Sequence, residues 1–235
     1  MVIKSKLKFL GIIILITFAV LASLHEVDNS LTNEDVEYLP KYFAENRIDS
    51  KFMSYEDQID LIVKIQNSVL FRINKSKGFP LNSKREPKEL YAQREGMCYD
   101  RSRVIEKMLR FFGFKTRHIA IYSKENSKSN IEILLTPGIR SHAITEVLTK
   151  EGWIVVDSNN HWISLGRNNK PISIKEIQLS SNDNSPVKLK TPFPSTIYSN
   201  SFIFIYGLYS RHGYFYPPFN PIPDINYSEL IQNFK

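Results

Sequence analysis

Hydrophobic and polar positions divide the chain into an apolar head, a helical first half and a stranded second half. From Phe9 to Leu24 no charge interrupts the run; Lys4, Lys6 and Lys8 precede it, and Glu26 and Asp28 follow. Basic residues before and acidic residues after such a run place its N-terminus in the cytoplasm and the rest of the chain outside. The run is shorter than the roughly 20 residues of a comfortable membrane span. Val20-Leu21-Ala22 is like a small-residue cleavage site, which makes a removed signal peptide the alternative to an anchor. We read residues 1–24 as an uncleaved N-terminal membrane helix; both readings export the remainder.

Residues 25–50 are polar and read as a linker, with a short helix over Asn33–Leu39 stopped at Pro40. Residues 51–180 carry the periodic segments. Ser54 is placed to cap a helix, with Glu56, Asp57 and Asp60 in its first turns. Ile59, Ile62, Ile65, Val69 and Ile73 then recur at helical spacing, which is core packing. Lys75 to Pro87 reads as a loop. Cys98 to Phe112 is amphipathic and closed by Gly113. Cys98, Ile105, Leu109 and Phe112 share one face, Met108 lies at its edge, and Arg103, Glu106, Lys107 and Arg110 share the other. Phe114–Tyr122 and Ile131–Thr136 read as strands around a polar turn. His142–Thr149 and Trp153–Asp157 read as two more, joined at Lys150-Glu151-Gly152. Ile172–Leu179 reads as a short helix. Residues 181–235 become aromatic and Pro-rich, with Tyr206, Tyr209, Tyr214, Phe215, Tyr216 and Phe219 among prolines. So many rings predict an extension packed on the domain as an extended strap. A helix followed by mainly antiparallel strands is an α+β arrangement.

Composition narrows the chemistry. The formal net charge is +7, but the basic residues are scattered from Lys4 to Lys235. No stretch interleaves them with aromatics as a nucleic-acid surface does, so a nucleic-acid partner is not expected. The charge fits a weak attraction to anionic membranes or glycans, or nothing specific. A single cysteine in 235 residues excludes an intramolecular disulfide and a zinc site built on cysteine pairs. No metal or cofactor is expected. An unpaired cysteine in an exported chain is instead a candidate reactive thiol.

That cysteine opens its helix. The positive end of the helix dipole and free backbone N–H groups lower a thiol pKa there. A neighbouring imidazole takes the proton, and a carboxylate on the second ring nitrogen fixes the tautomer. His142 and Asp157 lie on successive strands and suit these roles. The hairpin sets the condition. If Thr149 pairs with Gly152, Asp157 lies diagonally beside His142 on one face, about 7–8 Å away at the backbone. If Thr149 pairs with Trp153, the two face opposite ways. For an oxyanion, the Cys98 backbone N–H and the Gln93 side chain are the candidate donors.

Gly96-Met97-Cys98, Leu109-Arg110-Phe111-Phe112-Gly113, His142-Ala143-Ile144-Thr145-Glu146-Val147 and Gly152-Trp153-Ile154-Val155-Val156-Asp157 together resemble the transglutaminase-like superfamily. The third block lacks the spacer usual between its Gly and Trp, and Ser158 stands where the family often has Pro. The resemblance implies a papain-like core, with the cysteine-bearing helix packed on a mainly antiparallel sheet. It also implies Cys98 as nucleophile, His142 as general base and acid, and Asp157 as orienter. The activity implied is attack on an amide or ester carbonyl, a thioester intermediate and release to water or an amine. Hydrolysis and cross-linking both stay open. The expected substrate is a peptide, protein or glycoconjugate. The alternative is a membrane-tethered module of the same fold that binds without catalysis.

Overall fold

The computed structural model describes residues 11–17, 19–20, 23, 26–45, 47–76, 84–124, 129–136, 138–182, 187–209 and 224–234. The elements run α1 (Asn33–Tyr42), α2 (Tyr55–Arg72), β1 (Asn74–Lys75), α3 (Pro87–Gln93), β2 (Glu95–Gly96) and α4 (Cys98–Phe111). Then come β3 (Lys115–Ser123), α5 (Asn130–Leu135), β4 (Ser141–Thr149), β5 (Gly152–Val156), α6 (Ile174–Asn182) and α7 (Thr196–Ser199). The last are β6 (Phe202–Tyr206), β7 (Leu208–Tyr209), β8 (Asp224–Ile225) and α8 (Tyr227–Leu230).

The central sheet is four-stranded in the order β5-β4-β3-β6, and every neighbouring pair is antiparallel. Both faces are covered. On one side Val147, Ile154 and Val156 meet Ile62, Ile65, Val69, Ile105, Met108 and Leu109 of α2 and α4. On the other, Ile119, Ile121, Ile144 and Val155 meet Trp162, Ile174, Ile177, Ile197 and Tyr198. A sheet buried on both faces reads as near-continuous apolar strands, as Ile119–Tyr122 and Ile154–Val156 do. The α+β reading holds. β6 comes from the aromatic C-terminal region, where Tyr206 and Tyr209 are buried. Residues 210–223, with Tyr214, Phe215, Tyr216 and Phe219, lie outside the described residues.

The hairpin adopts the register that unites the two candidate residues. Thr149 pairs with Gly152, and Thr145 with Val156. His142 and Asp157 therefore share a face.

Three expectations of local structure change: the end of the first helix, the linker and the strand at 131–136. Helix α1 runs through Pro40 to Tyr42 instead of stopping. Proline forfeits one helical hydrogen bond, but Leu39 and Tyr42 are buried and the Tyr42 hydroxyl donates to the Pro87 carbonyl at 2.7 Å, which holds the last turn. Residues 26–45, expected to link, therefore pack through this helix. Ile131–Thr136 is not a strand but carries α5. Ser129 accepts from the Glu132 N–H at 3.2 Å, and Glu132 accepts from the Ser129 N–H at 2.7 Å; this reciprocal box starts a helix.

The polar face of α4 is not solvated. Glu106 and Lys107 are buried; Lys107 pairs with Asp35 of α1 at 2.7 Å, and Glu106 sits among groups from both ends of the chain. Periodicity separated the faces correctly but could not show that the polar one also has a protein partner. Finally, no helix among the described residues is long and apolar enough to cross a membrane. Residues 11–17 are helical, and residues 1–10 lie outside the description.

Candidate active site

Local packing fixes the thiol. β1 and β2 form a short parallel ladder in which Lys75 pairs with Gly96. A Cβ at Gly96 would meet the Asp100 Cβ at 3.0 Å and the Ile73 Cγ2 at 3.1 Å, so the chain closes this tightly only without a side chain there. The Met97 N–H donates to the Asp100 carboxylate at 2.9 Å, and Arg85 pairs with the same carboxylate at 2.8 Å. Burial raises the Asp100 pKa against the pull of Arg85. This pinned turn delivers Cys98 to the first position of α4, where backbone N–H groups have no helical acceptor. At the other end Gly113 has φ +82, a left-handed conformation suited to glycine, and ends the helix.

Cys98 is half-buried and unpaired. Its sulfur lies in the field of His142 and near the backbone of Tyr99 and Ala143. His142 Nε2 lies 3.0 Å from Asp157 Oδ2, and its Nδ1 lies 3.4 Å from Asn159 Nδ2. The structure thus brings together all three residues singled out in the sequence. Burial pushes the thiol up, but the His142 bond and charge and the two amides outweigh it and hold the thiol below its ordinary value. Burial alone would lower the imidazole; the Asp157 charge and bond, with the thiol, raise it to about 10. Burial would raise Asp157; His142, the Tyr198 hydroxyl and the Asn159 N–H bring it down to about 2. All three directions favour the charged form of each group.

Asp157 is held from several sides. Its Oδ1 accepts from the N–H groups of Asn159 at 2.6 Å and Asn160 at 2.7 Å. Its Oδ2 also accepts from the Tyr198 hydroxyl. Gln66 of α2 donates to the carbonyls of Asp157 at 2.7 Å, Asn160 at 3.0 Å and Trp162 at 2.8 Å, which locks the loop after β5. Tyr198 lies against Trp162, ring centroids 5.1 Å apart, and beside Phe193. Sequence reasoning missed Tyr198, Gln66 and Arg101, whose Nη2 donates to Asn159 Oδ1. Trp162, left unassigned there, is buried against Tyr198, while His161 is exposed and bonded to Asn67.

Gln93 is exposed at the end of α3, and among the described residues no hydrogen bond ties it to Cys98, His142 or Asp157. Glu146, of the His142 block, is structural. It pairs with Arg117 at 2.7 Å and accepts from the Ile174 N–H at 2.8 Å, joining β4 to β3 and α6.

A cysteine on a helix N-terminus, facing a histidine and an aspartate on an antiparallel hairpin, defines a papain-like α+β core. Residues 47–158 match the family described as the transglutaminase-like superfamily. Over that stretch, which holds the thiol, the imidazole and the carboxylate, the chain carries a transglutaminase-like core. Among solved structures it is similar to a Cytophaga hutchinsonii protein described as a candidate cysteine protease, with 14% identity and a TM-score of 0.32. The likeness covers 77% of this chain and 55% of that one, so this chain spans little more than half of its neighbour's length. No curated protein sequence matches the chain.

Proposed function

We propose that the chain is a cysteine-dependent acyl-transfer enzyme, with Cys98 as nucleophile, His142 as general base and acid, and Asp157 as orienter. The observation that carries this reading is a partly buried thiol at the start of α4 in the field of His142, whose imidazole lies 3.0 Å from Asp157. The Cys98 sulfur attacks the carbonyl carbon of an amide or ester, and the carbonyl electron pair moves to oxygen. The Cys98 N–H at the helix start is the donor placed for that oxyanion. On collapse the C–N or C–O bond breaks, and the His142 proton passes to the leaving amine or alcohol. The resulting thioester is released when water or an amine, deprotonated by His142, attacks it. Which acceptor enters decides between hydrolysis and cross-linking. The substrate class we assign is the amide or ester of a peptide, protein or glycoconjugate.

We read the apolar head as a membrane anchor that holds this domain outside the cytoplasm. Ile12, Ile13, Ile14, Leu15, Ile16 and Val20 are exposed apolar side chains with no protein cover, and Lys4, Lys6 and Lys8 precede them. A reporter that is active only after export, fused after Lys235, should work; activity of a cytoplasm-only reporter at that position would reverse the topology.

The catalytic reading is tested by the rate of iodoacetamide labelling at pH 6. Cys98 should react far faster than the same thiol in denatured protein, and Cys98→Ala should lose both labelling and any turnover while staying folded. Turnover retained by Cys98→Ala, or labelling no faster than in the denatured chain, would sink it.

A further inference from the structure

With the thiol ionised and the imidazole protonated, Cys98, His142 and Asp157 together carry one net negative charge. His142 and Asp157 are almost wholly withdrawn from water. A buried excess charge is costly unless a countercharge stands beside it.

Arg101 meets that description. It follows Cys98 at the i,i+3 spacing that puts two side chains on neighbouring positions of one helix face. It is 3% exposed. A buried arginine is normally matched to a carboxylate, yet this one touches none among the described residues. Its Nη2 donates to the amide oxygen of Asn159, and its Nε has no partner. Asp100, the nearest acid in sequence, is already paired with Arg85 at 2.8 Å. Burial lowers the basicity of Arg101, and the charges of Cys98, Asp157 and Asp100 oppose that; the guanidinium therefore lies in the field of the site. Asn159 links the two physically. Its N–H bonds Asp157 at 2.6 Å, and its Nδ2 lies 3.4 Å from His142 Nδ1. The other titratable groups facing the thiol, Tyr99 and Tyr198, are held neutral, by burial first.

We propose that Arg101 is the countercharge of the site, a positioning residue that balances the thiolate and Asp157 through space and fixes the side-chain oxygen of Asn159. The proposal rests on the reading of Cys98 as nucleophile.

The experiment is the pH profile of Cys98 alkylation by iodoacetamide, a neutral probe, on the full chain, with thermal unfolding as the check of fold. Arg101→Met should raise the apparent thiol pKa by about 1–3 pH units, the effect of removing a nearby opposite charge. Arg101→Lys should keep most of the wild-type profile. Asn159→Asp tests the same idea with Arg101 untouched: a carboxylate at that position takes up the guanidinium and should raise the thiol pKa, whereas Asn159→Ala should move it less. A wild-type thiol titrating near the ordinary value of about 8.5 would overturn the nucleophile reading, and this proposal with it. A low wild-type value left unchanged by Arg101→Met, or by Asn159→Asp should the Met variant not fold, would overturn the countercharge alone. So would an Arg101→Lys profile matching that of Arg101→Met.

Discussion

Helix α4 carries a buried polar cluster at each end, and the two are built on opposite plans. At its start Cys98, His142, Asp157, Arg101 and Asn159 form a chain that ends in a half-exposed sulfur. Further along, Glu106 and Glu229 are closed in by shared donors. The Asn29 side-chain amide bonds the first at 3.1 Å and the second at 2.9 Å. Arg110 reaches them at 3.3 and 3.1 Å, and the Tyr209 hydroxyl donates to Glu106 at 2.8 Å. Tyr209 also stacks on His118, ring centroids 4.0 Å apart, whose pKa burial drives down to about 4. This second cluster draws on residues near both chain ends and holds no nucleophile. Burial and perturbed titration are common to both, so neither marks the site. What separates them is a nucleophile on a residue that is only partly buried.

Removing a charge from the closed cluster should cost the most stability. Glu106→Ala removes an acceptor shared by Asn29, Arg110 and the Tyr209 hydroxyl, and breaking a buried charged group's pairing costs about 3–5 kcal/mol. Denaturant unfolding reads this, while the folded fraction should keep wild-type Cys98 alkylation. Lost alkylation at unchanged stability would show the clusters to be one system. At the open cluster, Tyr198→Phe removes a hydrogen bond to a charged carboxylate, worth about 1.5–3 kcal/mol. We expect at least a tenfold slower alkylation at neutral pH, with unfolding free energy lowered by no more than that amount. An unchanged rate would make Tyr198 a packing residue.

Glu229 gives the closed cluster a pH signature. Burial, then the Glu106 charge, raises its carboxyl to about 8 from an ordinary 4.5. Between those values the native state holds a proton that the unfolded chain has lost. Stability therefore falls as pH rises through this window, by at most about 1.4 kcal/mol per pH unit for one proton. Glu229→Gln should flatten that slope, measured as unfolding free energy from pH 5 to 8; an equal slope in the variant would place the proton elsewhere. The smallest effect is expected at the turn before the thiol. Gly96→Ala presses a methyl on Asp100 and Ile73 and should cost about 1 kcal/mol, with a small fall in alkylation rate. A fully wild-type variant would show that the turn yields freely.

The candidate trio was legible because each member lies on the element its proposed role requires, and the strands carry clear apolar patterns. The register was not legible: two pairings satisfied the same pattern, and the Thr149–Gly152 turn decided between them. Tyr198 left no local trace. It comes from a one-turn helix far along the chain and acts through a fold that the sequence does not display. Arg101 looked like one more basic residue on an amphipathic helix. The misread strand at 131–136 is different, since Ser129 and Glu132 had already written its helical start.

Cys98 is the only sulfhydryl in the chain, and a half-exposed thiol held toward its anion is also what peroxide oxidises first. A sulfenic acid formed there finds no resolving cysteine within the molecule. It can be rescued only by a thiol from outside, or pass on to the irreversible sulfinic acid. If the domain is exported and catalytic, as proposed, the working life of each copy is set by oxidant exposure as well as by turnover, and a reducing agent in the buffer becomes a condition of every measurement above.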